Sequence, residues 1–196
     1  MLGKPEDLLL ATRNPHKLRE FARLLAPRAV VALPDEVELP PEDGRTFTAN
    51  ALPKARTAAE ATGRVAIADD SGIEAAALGG APGVYSARYA GPHANDEENL
   101  QKLLSEAPAG SPLAYVCVIA YVDPATGEER CFEGRCTGRL AETPSGAGGF
   151  GYDPAFIPDD HEGEIVRTMA ELSDPEKDAI SHRGRAAREL LAWLAQ

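Results

Sequence analysis

Asp69 and Asp70 close the apolar run Val65-Ala66-Ile67-Ala68 and precede Ser71-Gly72. A buried strand there delivers two adjacent carboxylates to its end, with a glycine that permits a tight turn. Neighbouring side chains on extended backbone point to opposite faces, so only one of the two easily enters a given cleft. Magnesium takes one or two protein carboxylates, with waters and substrate phosphates in its other positions, so one aspartate with a distant glutamate suffices. Judged locally, the pair serves equally well to begin an Asx-type turn before Gly72.

A second stretch, Ala11-Thr-Arg-Asn-Pro-His-Lys17, suits phosphate. The short strand Leu8 to Ala11 ends in a polar turn with Asn14 as N-cap and Pro15 at the first helical position. Free backbone N–H groups and the positive end of a helix dipole converge there. Thr12 and Asn14 add side-chain hydrogen bonds, and Lys17, one turn in, adds a compact charge. The plainer reading is a capped helix with an exposed lysine. A third stretch, Gly146-Ala-Gly-Gly-Phe-Gly151, matches Gly-x-Gly-x-x-Gly, but Tyr152-Asp153-Pro154 follows where a dinucleotide fold begins its helix, which excludes that fold. A glycine loop carrying Phe150 and Asp153 suits a mobile segment whose ring covers a flat ligand, base stacking being worth ~1 to 3 kcal/mol; the alternative is a flexible hairpin with Phe150 as a core plug. Lys177 and Ser181-His182-Arg183-Gly184 cluster donors at a helix junction, although such residues also form solvated helix ends.

The elements that must position these residues follow from hydrophobic period and capping. Leu18, Phe21, Ala22 and Leu25 recur on one face of the helix after Pro15, with Lys17, Arg19, Glu20 and Arg23 largely elsewhere. Val30 to Leu33 reads as a second short strand. Thr46 caps an Ala-rich helix to about Thr62, stopped by Gly63, with Pro53 predicting a kink or a later start because an interior proline costs about 3 kcal/mol. Asn95 and Glu98 form a capping box for a helix through Leu104, Ala114 to Val122 is the clearest strand, and Asp123 to Gly127 turns a hairpin. Strands continue through Cys131 and Cys136 as far as the loop at Pro144. Asp174-Pro175-Glu176 opens a helical turn, and Arg183 to Leu194 forms an amphipathic helix with Ala187, Leu190, Leu191 and Leu194 inward. This order predicts a mixed α/β domain.

Composition narrows the partners. The 196 residues, 43% hydrophobic and 26% charged, supply one sizeable core or two small lobes around a cleft. A net charge of −11 repels nucleic acid unless cations gather on one face, so an anionic ligand must be bound locally. No apolar run approaches the ~20 residues that span a bilayer, and a signal peptide's basic start and apolar stretch are missing, so neither nucleic acid nor membrane is an expected partner and the cytoplasm is the expected location. Cys117, Cys131 and Cys136 lack zinc-site spacing and read as thiols, Cys117 in the core, with a link between Cys131 and Cys136 as the alternative.

Taken together and in order, the motifs resemble the inosine triphosphate pyrophosphatase family over nearly the whole chain. The resemblance rests on Thr12-x-Asn14-x-x-Lys17, Glu42-Asp-Gly-Arg-Thr-Phe47, Asn50-Ala51, Lys54-Ala55 and Ala68-Asp-Asp-Ser-Gly72. It continues in Gly79-Gly-Ala-Pro-Gly-Val-Tyr-Ser-Ala-Arg-Tyr89, Gly148-Gly-Phe-Gly-Tyr-Asp-Pro154 and Lys177-Asp-Ala-Ile-Ser-His-Arg-Gly184. It implies one catalytic domain over residues 1–196, an α/β fold with a mixed sheet, flanking helices and two lobes around a central groove, and a homodimer. It also implies a Mg2+-dependent cut between the α- and β-phosphates of non-standard purine nucleoside triphosphates (ITP, dITP, XTP).

By that resemblance Glu42 and Asp70 hold the metal, and Asp70 is the catalytic base. The turn Thr12, Arg13, Asn14, Pro15, His16 and Lys17, together with Lys54, binds phosphates. Ser71 contacts the nucleotide. Phe150, with Gly151 and Tyr152 beside it, stacks on the purine, and Asp153, Lys177, His182 and Arg183 read its edge. Discrimination then comes from donors aimed at the 6-keto oxygen, which adenine replaces with a donor of its own. Arg13 and His16 stand where the family often has glycine, and Pro53 interrupts the Asn-Ala-x-x-Lys-Ala helix that carries Lys54. Two rivals remain: the same scaffold acting on another nucleotide, such as a modified pyrimidine triphosphate, and a sensing module that binds without turnover. Substrate profiling separates the first, and the intact Glu42, Asp70 and Lys17 set argues against the second.

Overall fold

The computed structural model describes residues 7–160 and 166–196. In chain order the strands and α-helices are β1 (Asp7–Leu10), α1 (Pro15–Leu24), β2 (Ala29–Ala32), α2 (Phe47–Thr62), β3 (Ala66–Ala75), α3 (Asp96–Glu106), β4 (Pro112–Asp123), β5 (Glu128–Leu140), β6 (Phe156–Pro158), α4 (Asp174–Ile180) and α5 (His182–Leu194). Six strands form one mixed sheet in the order β2-β1-β3-β4-β5-β6. β1 runs parallel to β2, with Leu9 opposite Val31, and parallel to β3, with Leu10 opposite Ile67. β5 and β6 are antiparallel, with Arg139 opposite Ile157. No helix of the described residues is long and apolar enough to cross a membrane.

The described residues divide into two compact units. Of these, the first draws on residues 7–70, 117–134 and 183–196, and the second on 71–116, 135–160 and 166–182. In the first, Leu8 and Leu10 of β1, Phe21 and Leu25, Ile67, Ile119 and Tyr121 pack against Ala186, Ala187, Leu190 and Leu194 of α5. The second closes over Ile73, Ala75, Leu100, Leu103, Tyr115, Leu140, Tyr152, Phe156 and Met169.

Local capping chemistry fixes the helix starts. Thr46 accepts from Ala49 N at 3.1 Å, and Gly63 ends α2 in the left-handed region at φ 65°. Asn95 and Glu98 form their reciprocal box at the head of α3. α2 runs from Phe47 through Pro53, so the helix tolerates the loss of one hydrogen bond rather than starting later.

Two expectations change. β3 does not turn at Asp69-Asp70-Ser71-Gly72 but continues to Ala75, because Ile73 and Ala75 are buried beyond it and both carboxylates find partners other than the local backbone. On α1, Ala22 faces solvent while Glu20 is 7% exposed, drawn inward by Arg183 at 3.1 Å. All three cysteines are free thiols, so Cys131 and Cys136 are not linked. Cys117 lies in the core of the first unit, where burial pushes its thiol well above the usual range.

Candidate active site

In the first unit the turn before α1 is wired to itself. Thr12 Oγ1 accepts from Asn14 N at 3.2 Å, and Asn14 Oδ1 accepts from His16 N at 2.8 Å and Lys17 N at 3.3 Å, with Pro15 at the first helical position. The N–H groups of residues 14, 16 and 17, read from sequence as open donors for phosphate, are engaged within the turn. Arg13 is exposed but held: its guanidinium donates to the carbonyls of Leu33 (3.0 Å), Pro34 (2.7 Å) and Val37 (2.7 Å), tying down the segment that follows β2. His16 Nδ1 lies 3.0 Å from Arg19 Nη2 on the exposed side of α1.

Asp69 is the hub of a buried charge cluster and is 1% exposed. Lys17 Nζ lies 3.0 Å from its Oδ1, Arg183 Nε lies 3.3 Å from its Oδ2, and Arg183 Nη1 reaches Glu20 Oε2 at 3.1 Å. Burial alone would push the Asp69 carboxyl up; the charges of Lys17, Arg183 and Lys54 outweigh it and hold the group well below the ordinary carboxylate range. Lys54 Nζ, brought in by α2, donates to the Asp69 carbonyl at 2.7 Å and also contacts the Glu42 carboxylate. The proline one residue earlier therefore does not keep Lys54 out of the cluster.

Asp70, on the opposite side of the strand, accepts from Asn50 Nδ2 at 2.8 Å, while Asn50 Oδ1 accepts from Gly44 N at 2.7 Å. Asn50 thus braces the Glu42-Asp43-Gly44 segment and the Asp70 carboxylate at once. A Cβ on residue 44 would lie 2.6 Å from Asn50 Oδ1, so the brace requires glycine there. Burial raises the Asp70 carboxyl; the Asn50 hydrogen bond opposes this, and the Glu42 charge adds to it. Within this cluster of described residues three cations, Lys17, Lys54 and Arg183, meet four carboxylates, Glu20, Glu42, Asp69 and Asp70. Glu42 and Asp70 are hard oxygen donors, with the Glu42 charge near enough to help raise the Asp70 carboxyl, and a divalent cation taking oxygen ligands fits that pair.

In the second unit the glycine loop is pinned rather than mobile. Gly148 N donates to Ala170 O at 3.0 Å, Phe150 N to Asp153 Oδ2 at 2.9 Å, and Gly151 N to Asp96 Oδ2 at 2.9 Å. Gly149, at φ +69°, approaches so closely that a Cβ would lie 2.0 Å from Asp153 Oδ2. Buried Asp153 also takes Lys177 Nζ at 2.8 Å and the Tyr115 hydroxyl at 3.1 Å. Lys177 Nζ sits 5.2 Å from the centre of the Phe150 ring. Tyr152 turns inward and donates its hydroxyl to Ser86 O at 2.8 Å, and burial pushes that hydroxyl well above the usual tyrosine range. His182 is buried and lies parallel to Tyr115, ring centres 4.6 Å apart and planes 10° apart. Ser71 is half-buried on β3.

The structure therefore gathers Lys17, Glu42, Lys54 and Asp70 in the first unit, and Phe150, Asp153, Lys177 and His182 in the second. Arg183 is engaged by Asp69 through Nε and by Glu20 through Nη1, so at least part of its guanidinium serves buried carboxylates beside the edge-reading role expected of it. Sequence reasoning missed Glu20, Asn50 and Tyr115. For Asn50 a signal existed, since it stands within the quoted Asn50-Ala51 motif; for Glu20 and Tyr115, local pattern gave none.

The model of the Ham1 family matches residues 8–193. A dITP/XTP pyrophosphatase of Yersinia pseudotuberculosis is 47% identical over 200 residues, covering 96% of this chain and 98% of that protein. One from Shouchella clausii is 47% identical over 192 residues, covering 94% of each. Among solved structures, a HAM1 protein from Coxiella burnetii superposes with a TM-score of 0.84 at 41% identity, covering 96% of this chain and 98% of that one.

Proposed function

The chain belongs to the Ham1 family, and from that membership we infer that it is a nucleoside-triphosphate pyrophosphatase, hydrolysing the non-standard purine triphosphates ITP, dITP and XTP to monophosphate and pyrophosphate. The observation that carries the reading is the gathering of buried Lys54 and Asp70 with half-buried Lys17 and Glu42, a set suited to a metal-bound polyphosphate. Glu42 and Asp70 hold Mg2+, which when bound supplies positive charge to the phosphate oxygens.

An ammonium has three donors, and the Glu42 and Asp69 contacts of Lys54 use two of them, so the third serves a phosphate oxygen. Lys17, held 3.0 Å from Asp69 Oδ1, takes another. Thr12, Asn14 and the turn they brace present Lys17 to the chain of phosphates. Asn50 orients the Asp70 carboxylate, which accepts the proton of the water that attacks the α-phosphorus in line. The P–O bond to the β-phosphate breaks, and pyrophosphate leaves with the electron pair. Phe150 stacks on the purine, and Lys177 and His182 donate to its keto edge, with Asp153 holding Lys177 and the Phe150 backbone in place. An adenine amino group facing those donors strands them, which disfavours ATP. The enzyme works in the cytoplasm as a homodimer, for which light scattering after gel filtration should give twice the chain mass.

The test is product analysis over a panel of nucleotides with and without a chelator. ITP, dITP and XTP should yield monophosphate and pyrophosphate far faster than ATP, GTP or pyrimidine triphosphates, with orthophosphate appearing only after an inorganic pyrophosphatase is added. Direct release of orthophosphate and a diphosphate would overturn the reaction, and full turnover in excess chelator would overturn the metal requirement.

A further inference from the structure

Three hydrogen bonds and two ring contacts converge on the pair Asp153 and Tyr115. Asp153 Oδ2 takes Lys177 Nζ at 2.8 Å and Phe150 N at 2.9 Å, while its Oδ1 takes the Tyr115 hydroxyl at 3.1 Å. The ring of that same tyrosine lies parallel to His182, with centres 4.6 Å apart, and meets Phe156 at 4.5 Å. We propose that Tyr115 is the positioning residue for base recognition: its hydroxyl sets the rotamer of Asp153, and through it Lys177 and Phe150, while its ring sets the plane of His182. The proposal rests on the reading of Phe150, Lys177 and His182 as base-binding groups.

A carboxylate on a freely turning Cβ–Cγ bond would let Lys177 and the Phe150 amide wander together. A donor on the opposite oxygen removes that freedom. Tyr115 comes from β4, whose residues are buried along nearly their whole length, so the support is rigid. A histidine ring packed face to face against a fixed ring keeps its edge nitrogens in one plane, as reading a flat base demands. Tyr115 contacts the base only through these residues, so its effect should fall on binding and selectivity and spare the chemical step.

Two variants separate its two roles. Tyr115→Phe keeps the ring on His182 and removes the hydroxyl from Asp153; Tyr115→Leu removes both. Tyr115→Phe should raise KM for ITP about tenfold, with kcat within about twofold of wild type, and should lower the preference for ITP over ATP correspondingly. Tyr115→Leu should lose more of that preference. In a 1H–13C spectrum the His182 Cε1–H signal should keep its ring-current shielding in Tyr115→Phe and lose it in Tyr115→Leu. An unchanged KM in Tyr115→Phe, whether or not its melting temperature falls, would overturn the proposal while leaving the enzymatic reading intact. A wild-type enzyme that uses ITP and ATP equally well would instead overturn the base-binding reading on which the proposal rests.

Discussion

Replacing Arg183 by alanine discriminates between the role its sequence position suggests and the role its contacts define. The guanidinium lies 3.1 Å from Glu20 Oε2 and 3.3 Å from Asp69 Oδ2, and all three side chains are buried. Removing one member of a buried ion pair costs about 3 to 5 kcal/mol, because the carboxylate left behind has already given up its water. Asp69 keeps Lys17 at 3.0 Å, so most of the penalty falls on Glu20 and the lower end, ~3 kcal/mol, applies. For a chain of this size each kcal/mol moves Tm by about 2 to 4 °C, so Arg183→Ala should melt roughly 6 to 12 °C lower. The doubly neutral Glu20→Gln, Arg183→Met enzyme should lose less than Arg183→Ala alone, because no charge is stranded. The kinetic signature is a fall in kcat/KM that is the same for ITP and ATP within about threefold, since the perturbation reaches Asp69 and Lys17 rather than the base. Differential scanning fluorimetry and steady-state kinetics on both nucleotides supply the numbers. A melting temperature within about 2 °C of wild type, joined to a collapse of base preference, would refute this account and return Arg183 to the base.

Asp70→Asn should lower magnesium-dependent pyrophosphate release at least ~100-fold while unfolding stays cooperative, and near wild-type turnover would shift the base assignment to Asp69. Gly149→Ala forces a methyl group to within 2.0 Å of Asp153 Oδ2 at φ +69°, so KM for ITP should rise and Tm fall; a KM equal to wild type would show that Asp153 does not depend on this contact. Glu176 is pulled down to about 2 by Arg167 and Ser173 from an ordinary value of 4.5, so the stability it contributes is complete above about 4.5 and is lost as pH falls towards 2. Glu176→Gln should flatten the dependence of stability on pH in that window, and an unchanged acid limb would assign the loss to other carboxylates.

What the sequence revealed and what it concealed divide along the range of the interactions. Asn14, Thr46 with Gly63, and Asn95 with Glu98 announce helix ends because a cap acts on backbone two to four residues away. The terminal helix was visible from the spacing of Ala187, Leu190 and Leu194, all buried. Glu20 was misplaced because its partner, Arg183, lies 163 positions along the chain, and no periodicity encodes a pairing at that distance. The continuation of β3 through Asp69 to Gly72 was hidden for the same reason: turn chemistry is local, while the Lys17, Arg183 and Asn50 partners that displace it are not. The glycine loop was read as mobile because composition reports conformational freedom but not close packing, and Gly146, Gly148 and Gly149 spend their lack of side chains on approach to Ala170 and Asp153.

The first unit is assembled from stretches at both ends and the middle of the chain, and its hub is completed by Arg183. A ribosome delivers these stretches in order, so Lys17, Glu42, Lys54, Asp69 and Asp70 leave the exit tunnel long before the guanidinium that Glu20 and Asp69 share. Until Arg183–Gln196 emerges, the nascent chain also lacks Leu190 and Leu194, the apolar residues of α5 that close the core of that unit. Completion of the charge cluster and closure of the core therefore wait on the same stretch, Arg183 and the α5 residues that follow it. A chain aborted before residue 183 would carry nearly every residue of the chemistry and yet present an unfinished core to the proteases that survey new proteins.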